Sequence, residues 1–389
     1  MPSDAPVLTL RDLNRATLAR QGLLERLNGP LPRAVEAIGA LQSQHPEWPL
    51  VALGSRLEGI SATKLARAFA ERRIVRASLM RVTLHVVSAD DFWPMHAVVS
   101  PFRLDQWRLI YKSDPTAPKL RRELARAEAS VRSALAERPL RRDEIAALLA
   151  AEVPRSLRSL PHDGLWRHFA ATHALVQVPQ AGERYGGGRY ALAERWLPVP
   201  ADGTGDVDRA RRHLLRRYLG AFGPATLDDA LAWIGRGRGG VGPWRAALAS
   251  LGDELVELDD EDGRTLLDLA DAARPGGDAP VPPRLLARWD SLLLAHTVKG
   301  GRRRVLPRQH HATVNRKNGD VLPTFLVDGF VAGTWEPSVR EAAGAAGVTL
   351  RPFGRLPRGT RAVLEEEAMG TLELLYPQAT TREVHVNTA

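Results

Sequence analysis

One arrangement occurs three times along this chain and limits what it can fold into: helical segments followed by short paired strands. In the first segment, apolar residues at helical spacing predict helices over 10–28, 31–42 and 61–72. The stretch 76–88, "RASLMRVTLHVVS", then alternates between apolar and polar residues over Leu79–Val87, which is typical of a strand. The first segment is therefore predicted to run from helices into a strand.

The second and third segments repeat this order with clearer hairpins. Helices in "PLRRDEIAALLAAE" and "PHDGLWRHFAATHALVQV" precede strands Leu175–Val178 and Arg189–Leu192, which flank a glycine-rich, basic loop. In the third segment, Thr226 is the predicted N-cap of a helix in "TLDDALAWIG", and "PWRAALASLG" predicts a second helix. The stretch "LVELDDEDGRTLLDL" predicts a hairpin with an Asp-Gly turn at 262–263.

Helices followed by a two-stranded hairpin are the sequence pattern of a winged helix, in which a helix enters a DNA groove and the hairpin touches the backbone. The last third is β-rich over 306–335, with hairpin turns at Asn318-Gly319 and Asp328-Gly329, and 361–376 predicts a closing helix. We therefore predict an α+β fold of three tandem winged-helix units with a small C-terminal β-barrel or sheet. The predicted domains are residues 1–125, 126–203, 204–280 and 281–389.

Composition excludes several classes of function. There is no cysteine, so disulfides, thiolate zinc sites, iron–sulfur clusters and cysteine nucleophiles are excluded together. The histidines lack the H-E-x-x-H pattern and any other spacing that places them on one face, so we expect neither a metal site nor a cofactor. No apolar run approaches about 20 residues and the start lacks a signal-peptide core, so we expect a cytoplasmic, nucleoid-associated protein without membrane contact.

The chain is basic, with 54 lysines and arginines against 45 acidic residues, a net charge of +9 and a pI of about 10.4. This excess favours a polyanionic partner. Nucleic acid is favoured over a membrane because no basic amphipathic segment with aromatic anchors occurs. No heptad-patterned dimerisation helix occurs either, so we expect a monomer that binds double-stranded DNA.

The stretch "GALQSQHPEW" places Gln42 and Gln44 one residue apart at the end of a predicted helix. On a helix the two side chains would point about 200° apart, but in an extended segment residues i and i+2 share a face. Pro46 disfavours helix at His45, so we expect the helix to end near Leu41 and the two amides to converge. The alternative is two solvated glutamines at a helix end.

Several stretches together resemble the winged-helix DNA glycosylase family typified by AlkZ, over nearly the whole chain. They are "LQSQHPEWPLVALGSRLEG", "LMRVTLHVVSADDF", "RRYLGAFGPATLDDALAW", "LLARWDSLLLAH" and "LPTFLVDGFVAGTW". The resemblance implies three tandem winged helices in a C-shaped arrangement, a C-terminal β-barrel, and a Gln-x-Gln or Gln-x-Asp motif with a small or apolar middle residue. Gln42-Ser43-Gln44 matches that motif, although serine is less apolar than the family pattern.

Two neutral amides restrict the reaction that this motif can catalyse. A carboxylate usually stabilises the cationic sugar and activates water in glycosidic cleavage, whereas glutamine is a poor base that can only orient water through its carbonyl. Such a site suffices when the leaving base already carries a positive charge. The substrate that the resemblance implies, a bulky or crosslinked N7-alkylguanine, has that charge. We assign Gln44 to the water nucleophile and Gln42 to the deoxyribose or the same water, with exchanged roles as the alternative.

The predicted DNA or substrate contacts fall into three groups: Arg81, Thr83 and His85; Trp48; and Arg308, Arg316 and Lys317. The first group matches a threonine–apolar–histidine feature of the family. On a strand these three residues would share one face, and His85 would be a proton relay. The alternative is the polar face of a half-exposed strand with no role in the reaction. Trp48 lies beside the glutamines and is expected to wall a lesion pocket, unless it packs in the core. Arg316 and Lys317 lie at a predicted hairpin tip, where a solvated turn is the alternative. The basic stretch before this tip comprises Arg302, Arg303, Arg304 and Arg308.

The sequence thus predicts a monofunctional DNA N-glycosylase, a hydrolase that acts in base excision repair or genotoxin self-resistance. A non-catalytic winged-helix transcription regulator is the alternative, and the lack of a carboxylate in the glutamine motif favours it. The chain length and the three tandem segments argue against it. A structural protein whose winged helices bind other proteins is a third alternative, which the positive charge disfavours.

Overall fold

The computed structural model divides the chain into two compact units. The residues that it describes are 7–158, 160–161, 163–179, 188–200, 206–235, 240–297, 304–340 and 344–387. The larger unit comprises Met1–Leu65, Leu215–Trp233 and Leu251–Ala389, and the smaller unit comprises Ala66–Leu214 and Ile234–Ser250. Both units therefore join segments that are distant in sequence.

The elements are numbered in chain order. The helices are α1 (Leu10–Arg20), α2 (Leu31–Ile38), α3 (Trp48–Gly54), α4 (Ala62–Ala70), α5 (Ala89–Tyr111), α6 (Pro118–Glu137), α7 (Arg142–Glu152), α8 (Arg155–Arg158), α9 (Gly164–Thr172), α10 (Ala193–Trp196), α11 (Val207–Phe222), α12 (Leu227–Ile234), α13 (Gly242–Ala249), α14 (Ser291–Leu294), α15 (His311–Val314) and α16 (Thr360–Leu375). The strands are β1 (Leu41–Gln42), β2 (Ile74–Ser78), β3 (Leu84–Ser88), β4 (Leu140–Arg141), β5 (Leu175–Val178), β6 (Arg189–Leu192), β7 (Leu255–Asp259), β8 (Thr265–Leu269), β9 (Arg284–Leu286), β10 (Thr324–Val327), β11 (Phe330–Arg340), β12 (Ala345–Pro352) and β13 (Thr381–Val386). Short 3₁₀ helices cover Met80–Val82, Gly252–Glu254 and Arg308–His310.

The larger unit contains a sheet whose described strands run in the order β13-β12-β11-β10-β9. Strands β9 to β12 pair in antiparallel fashion, whereas β12 and β13 are parallel. The β10–β11 hairpin turns at Asp328 and Gly329, which have φ angles of 48° and 80°, as its Asp-Gly sequence predicts. Helix α16 buries Leu364, Ala368 and Leu372, which are four residues apart and form one helix face. The separate β7–β8 hairpin also forms as predicted.

A core cluster in the larger unit lies where α1 meets this sheet. It joins Leu18 of α1 and Leu23 to Leu286 of β9, Leu292 of α14 and Leu326 of β10, and all five side chains are almost fully buried. Burial of large aliphatic side chains is the main stabilising contribution in such a cluster. The cluster therefore fixes the turn between β9 and α14, which borders the glutamine motif.

The smaller unit contains a sheet in which β3, β2, β5, β6 and β4 follow one another as hydrogen-bonded neighbours. Its core includes Trp107 of α5, Leu124 of α6, Ile145 of α7 and Phe169 of α9. Strands β5 and β6 have the predicted bounds, which confirms that hairpin. The glycine-rich loop between them lies largely at 180–187, outside the described residues.

The helix predicted over 10–28 ends at Arg20. Gly22 follows with a φ of 66°, and a Cβ atom there would lie 2.7 Å from Cγ of Leu27 and 2.8 Å from the carbonyl oxygen of Arg56. Only glycine tolerates both the left-handed backbone and this close approach. The leucine periodicity after Gly22 therefore reflects a buried loop and not a continued helix.

The single strand predicted over Leu79–Val87 is wrong, because the structure forms two strands there. Strands β2 and β3 pair in antiparallel fashion around a tight turn. Arg81 and Val82 occupy that turn with φ angles of 54° and 58°. Neither residue type favours positive φ, so the sequence carries no local signal for the turn. The result is a helix–hairpin segment of the kind predicted for the other two.

The overall class is mixed α+β, as predicted. Helix α6 runs through the predicted boundary between residues 125 and 126, so no linker separates the two domains at that point. The division into four domains remains a prediction. In the described part of the chain, no helix is long and apolar enough to cross a membrane.

Candidate active site

The glutamine motif lies in the larger unit, directly after helix α2. The helix ends at Ile38, and Gly39 caps it with a φ of 91°. Gln42 lies in the extended segment that follows. The prediction that helix stops before the two glutamines is confirmed.

Burial decreases towards the end of the motif and does not alternate along it. Ser43 is fully buried, Gln42 is 9% exposed, and Gln44 is exposed. Only Leu41–Gln42 is a strand and Gln44 lies in a bend, so the convergence of the two amides remains a prediction. The middle residue is fully buried, which its small side chain permits.

Gln42 borders a small cavity in the larger unit. The lining residues are Ile38, Leu41, Gln42, Ala52, Arg56, Ala287, Arg288, Trp289, Asp290 and Ser291. The space open to the centre of a water molecule is about 10 Å³, roughly the volume that one buried water requires. The cavity is therefore of the size of a single water and too small for a base.

A buried ion pair forms part of the cavity wall. Nη2 of Arg56 lies 2.6 Å from Oδ1 of Asp290, and both side chains are 1% exposed. The same Asp290 oxygen accepts the backbone N–H of Leu292 at 3.0 Å and caps helix α14. A carboxylate held in this way is a structural anion and not a free general base.

The residue that sequence reasoning missed is Trp289, which lies in the turn between β9 and α14. Its φ is 53°, a backbone conformation that bulky residues rarely adopt. Its ring stacks on His45, with ring centroids 5.6 Å apart and an interplanar angle of 16°. The only sequence signal was its place in "LLARWDSLLLAH", one of the stretches that resemble the family.

Trp48, the aromatic residue that was expected to wall a lesion pocket, lies in the core. It is 5% exposed and packs edge-on against Trp335, with ring centroids 5.6 Å apart. A side chain this buried is not available to a DNA base. The part-exposed aromatic residue beside the glutamine motif is Trp289 instead.

The predicted basic hairpin forms over Asn315–Val321 in the larger unit. Arg316 and Lys317 are exposed at its tip, and Gly319 has the positive φ of 83° that the turn needs. Asp320, at the base of the hairpin, accepts two hydrogen bonds from the guanidinium of Arg288, one of them 2.7 Å from Nε to Oδ1. The guanidinium also lowers the pKa of the Asp320 carboxyl group. The base of the hairpin is thus tied to the turn that carries Trp289.

In the basic stretch before this hairpin, one described arginine lies at the surface and another lies in the core. Arg308 is exposed. Arg304 is only 5% exposed and donates hydrogen bonds to Oγ1 of Thr17 and to the carbonyl oxygens of Phe222 and Pro224. Arg304 therefore stabilises the core and does not extend the basic surface. Arg302 and Arg303 lie outside the described residues.

Arg81, Thr83 and His85 belong to the smaller unit and do not share a strand face. Arg81 and Thr83 lie in the turn between β2 and β3, whereas His85 is a β3 residue that is 1% exposed. Nδ1 of His85 is 2.9 Å from the carbonyl oxygen of Thr83 and donates to it. Burial, together with the charge of Arg81, lowers the pKa of His85 to about 3. This argues against His85 as a proton relay at neutral pH, because the imidazole is then a very weak base.

The buried imidazole predicts a pH dependence of stability. The unfolded chain binds a proton at His85 below about pH 6.5, whereas the folded chain does so only at a pKa of about 3. Stability should therefore fall as the pH drops from 6.5, by about 2 kcal/mol between pH 6.5 and 4.5. Urea unfolding across this range measures the slope. His85→Gln should make the slope shallower without removing it, because burial also lowers the pKa of His96 to about 3; an unchanged slope in that variant would contradict the assignment.

Comparisons with known proteins agree with this fold. A family model described as DNA glycosylase AlkZ-like matches residues 35–374. The interstrand DNA cross-link repair glycosylase of Streptomyces sahachiroi is 24% identical over 349 residues, which are 87% of this chain and 89% of that protein. The solved structure of Streptomyces sahachiroi DNA glycosylase AlkZ shares the fold, with a TM-score of 0.75 and 21% identity over 98% of this chain and 100% of that chain. The family match covers most of the sequence, and the chain belongs to the AlkZ-like DNA glycosylase family.

Proposed function

We propose that this protein hydrolyses the N-glycosidic bond of bulky or crosslinked N7-alkylguanine in duplex DNA and leaves an abasic site. The observation that carries the proposal is the Gln42-Ser43-Gln44 segment, which lies after the end of helix α2 and whose buried glutamine borders a water-sized cavity. The relative from Streptomyces sahachiroi is named as an interstrand cross-link repair glycosylase, which supports crosslinked lesions as substrates. No cofactor takes part in this reaction.

The charges around the motif support a cationic substrate. Asp290 is the acidic residue among those that line the cavity, and Arg56 already neutralises it. The amides can orient water and present carbonyl oxygens to positive charge, but they cannot remove a proton efficiently. The leaving base must therefore provide the driving force, as an N7-alkylated guanine does.

The proposed reaction balances without a further reactant. The water oxygen bonds to C1′ of the deoxyribose as the bond from C1′ to N9 breaks. The bonding electron pair moves into the imidazolium ring of the base, which leaves neutral, and the proton of the water passes to solvent. Gln42 borders the water-sized cavity, which supports Gln42 as the water-binding residue and the exposed Gln44 as the deoxyribose contact. These are the exchanged roles that the sequence left open.

We also propose that the three helix–hairpin segments are winged-helix units. The hairpins β2–β3, β5–β6 and β7–β8 each follow helices, and each has the place of a wing. Arg81 and Thr83 lie in the turn of the first of these hairpins, where a wing would reach the DNA backbone. They remain proposed substrate contacts for that reason.

Arg308, Arg316 and Lys317 are the proposed phosphate contacts of the larger unit because all three are exposed. For Arg316→Ala/Lys317→Ala, we expect duplex binding to weaken at all sequences. The slope of log affinity against log salt should become shallower by about 2, because each lost phosphate contact removes about 0.9.

Fluorescence anisotropy with labelled duplex between 50 and 200 mM salt, about the range over which phosphate contacts respond, measures that slope. Arg351→Ala/Arg361→Ala is the matched control, since it removes two arginines with side chains 48% and 61% exposed elsewhere in the same unit. Equal slopes for the two double variants would show that the hairpin tip does not contact phosphate.

The experiment that tests the proposed function is base release from defined lesions. The wild-type protein is incubated with duplexes that carry N7-methylguanine, a bulky N7-alkylguanine or an interstrand crosslink. Released base is measured by mass spectrometry, and abasic sites are measured as alkali-labile breaks. We expect release from the bulky and crosslinked lesions. Binding without release from any of the three would leave a non-catalytic DNA-binding protein as the better description.

A further inference from the structure

We propose that the turn Arg288–Ser291 couples DNA contact at the Asn315–Val321 hairpin to the position of the glutamine motif, with Trp289 as the central positioning residue. The inference rests on the proposed function, because it concerns how the same site is held in place. It assigns a role to a turn that lies outside the glutamine motif.

On the hairpin side, the turn makes side-chain and backbone contacts with one short stretch. Arg288 and Asp320 form a two-point ion pair whose side chains are 32% and 14% exposed. The backbone N–H of Trp289 donates to the carbonyl oxygen of Val321 at 3.1 Å, and its Nε1 donates to that of Gly319 at 3.3 Å. A paired planar guanidinium and two further hydrogen bonds fix orientation as well as distance. The hairpin and the turn should therefore move together.

On the other side, the turn contacts residues on both sides of the glutamines. Oγ of Ser291 donates to the carbonyl oxygen of Ala40 at 2.6 Å, two residues before Gln42. The Trp289 ring stacks on His45, the residue directly after Gln44. The motif is thus held by the same turn at its start and at its end.

The stack is an important anchor for the exposed end of the motif. The His45 side chain is 58% exposed, and Gln44 and Pro46 are exposed as well. A ring stack at an exposed bend restricts the motion of the backbone there.

The backbone of Trp289 also indicates a functional constraint. A tryptophan in the left-handed region is strained, and such residues persist where the surrounding contacts determine their conformation. Here those contacts come from the hairpin and from the glutamine motif. Strained residues of this kind cluster where geometry matters for function. Displacement of a reacting group by about 1 Å can cost about 100-fold in rate, so the coupling would act on turnover more than on affinity.

The first test compares the release rate with the duplex affinity. For Trp289→Ala we expect the single-turnover rate of base release to fall about 10- to 100-fold, with duplex affinity within about threefold. Trp289→Phe retains a ring for His45 and should recover most of the rate. A Trp289→Ala protein that releases base at the wild-type rate would overturn the proposal.

The ion pair is tested by reversing its charges. Arg288→Asp and Asp320→Arg should each slow release about tenfold or more, and the double variant that carries both changes should recover part of that loss. Arg351→Glu, which disrupts an exposed ion pair with Glu336 in the same unit, is the matched control and should keep the wild-type rate. If the double variant is no faster than the slower single variant, the ion pair does not transmit position. These charge-reversal variants test the proposal even if the Trp289→Ala protein does not fold.

Hydrogen exchange measured by mass spectrometry separates this proposal from the proposed function. Binding of an undamaged duplex should slow exchange in both 315–321 and 41–47 of the wild-type protein. In a folded Trp289→Ala or Arg288→Asp variant, protection should remain in 315–321 and be lost from 41–47. Protection of both segments in these variants would overturn the coupling. If the exchange pattern is as expected but the wild-type protein releases no base, the proposed function fails and the coupling stands.

Discussion

Replacing both Gln42 and Gln44 by alanine should lower the single-turnover rate of base release by about 100- to 1,000-fold, with duplex affinity within about threefold. The expected loss is large because, in the proposed mechanism, both amides act on the transition state, one by orienting water and one by presenting a carbonyl dipole to the cationic sugar. Neither is expected to carry much of the binding energy, which phosphate contacts dominate. The measurement is release of N7-alkylguanine under enzyme excess, with affinity determined separately by anisotropy.

The matched control for this variant is Gln378→Ala, an exposed glutamine in the same unit. It should keep the wild-type rate and affinity. Circular dichroism at the assay temperature should show that the control and the double variant are both folded, although the double variant loses a side chain that is only 9% exposed. Release by the double variant at the control rate would show that the two glutamines are not catalytic.

Asp290→Ala should lower the free energy of unfolding by about 3–5 kcal/mol, because it leaves Arg56 buried without its counter-charge. Both side chains of this pair are 1% exposed, so solvent cannot compensate for the lost partner. The substitution also removes the cap from the first turn of α14. Urea unfolding followed by circular dichroism measures the change.

Two further variants separate charge burial from a general loss of contacts. Arg56→Met/Asp290→Asn removes both charges and keeps an oxygen that can cap α14, so it should be more stable than Asp290→Ala. Glu336→Ala breaks an exposed ion pair with Arg351 and should cost less than about 1 kcal/mol. If Asp290→Ala costs no more than this surface control, the buried pair is not the anchor that the structure indicates.

Local patterns predicted a large part of the fold. Strands β5 and β6 have their predicted bounds, and the hairpins at 262–263, Asn318-Gly319 and Asp328-Gly329 form as expected. These features depend on alternation and on Asp-Gly or Asn-Gly chemistry, which act within a few residues. The mixed α+β class follows from the same local evidence.

Features that depend on distant contacts were not predictable. The turn at Arg81 and Val82 consists of residue types that rarely adopt positive φ, so local propensity does not predict this turn. The helix that ends at Arg20 is limited by the close approach of Gly22 to the backbone of Arg56. The two compact units also join segments of the chain that lie far apart, and no local pattern encodes that arrangement.

The candidate site also contains residues that the sequence predicts and residues that only the folded structure identifies. Gln42 and Gln44 could be proposed because the motif resembles a known family, whereas the helix ends earlier than Pro46 predicts, at Ile38, where Gly39 has a φ of 91°. Trp289 could not be found, since its significance comes from His45, Gly319 and a positive φ that only the folded chain defines. For Trp48 the sequence predicts a place in the site, because the residue is close to the glutamines along the chain. In the structure its ring packs against Trp335 in the core.

The central claim is that two neutral amides suffice because the leaving base is already cationic. The direct test compares two duplexes that differ at one atom of the lesion: an N7-alkylguanine, and the 7-deaza-7-alkylguanine of the same shape, in which carbon replaces the charged nitrogen. Single-turnover release from each is followed by mass spectrometry under enzyme excess. We expect the protein to bind both lesions and to release only the cationic base, with release lost in Gln42→Ala/Gln44→Ala. Release of the neutral base at a comparable rate, or no release of the cationic one, would contradict the claim.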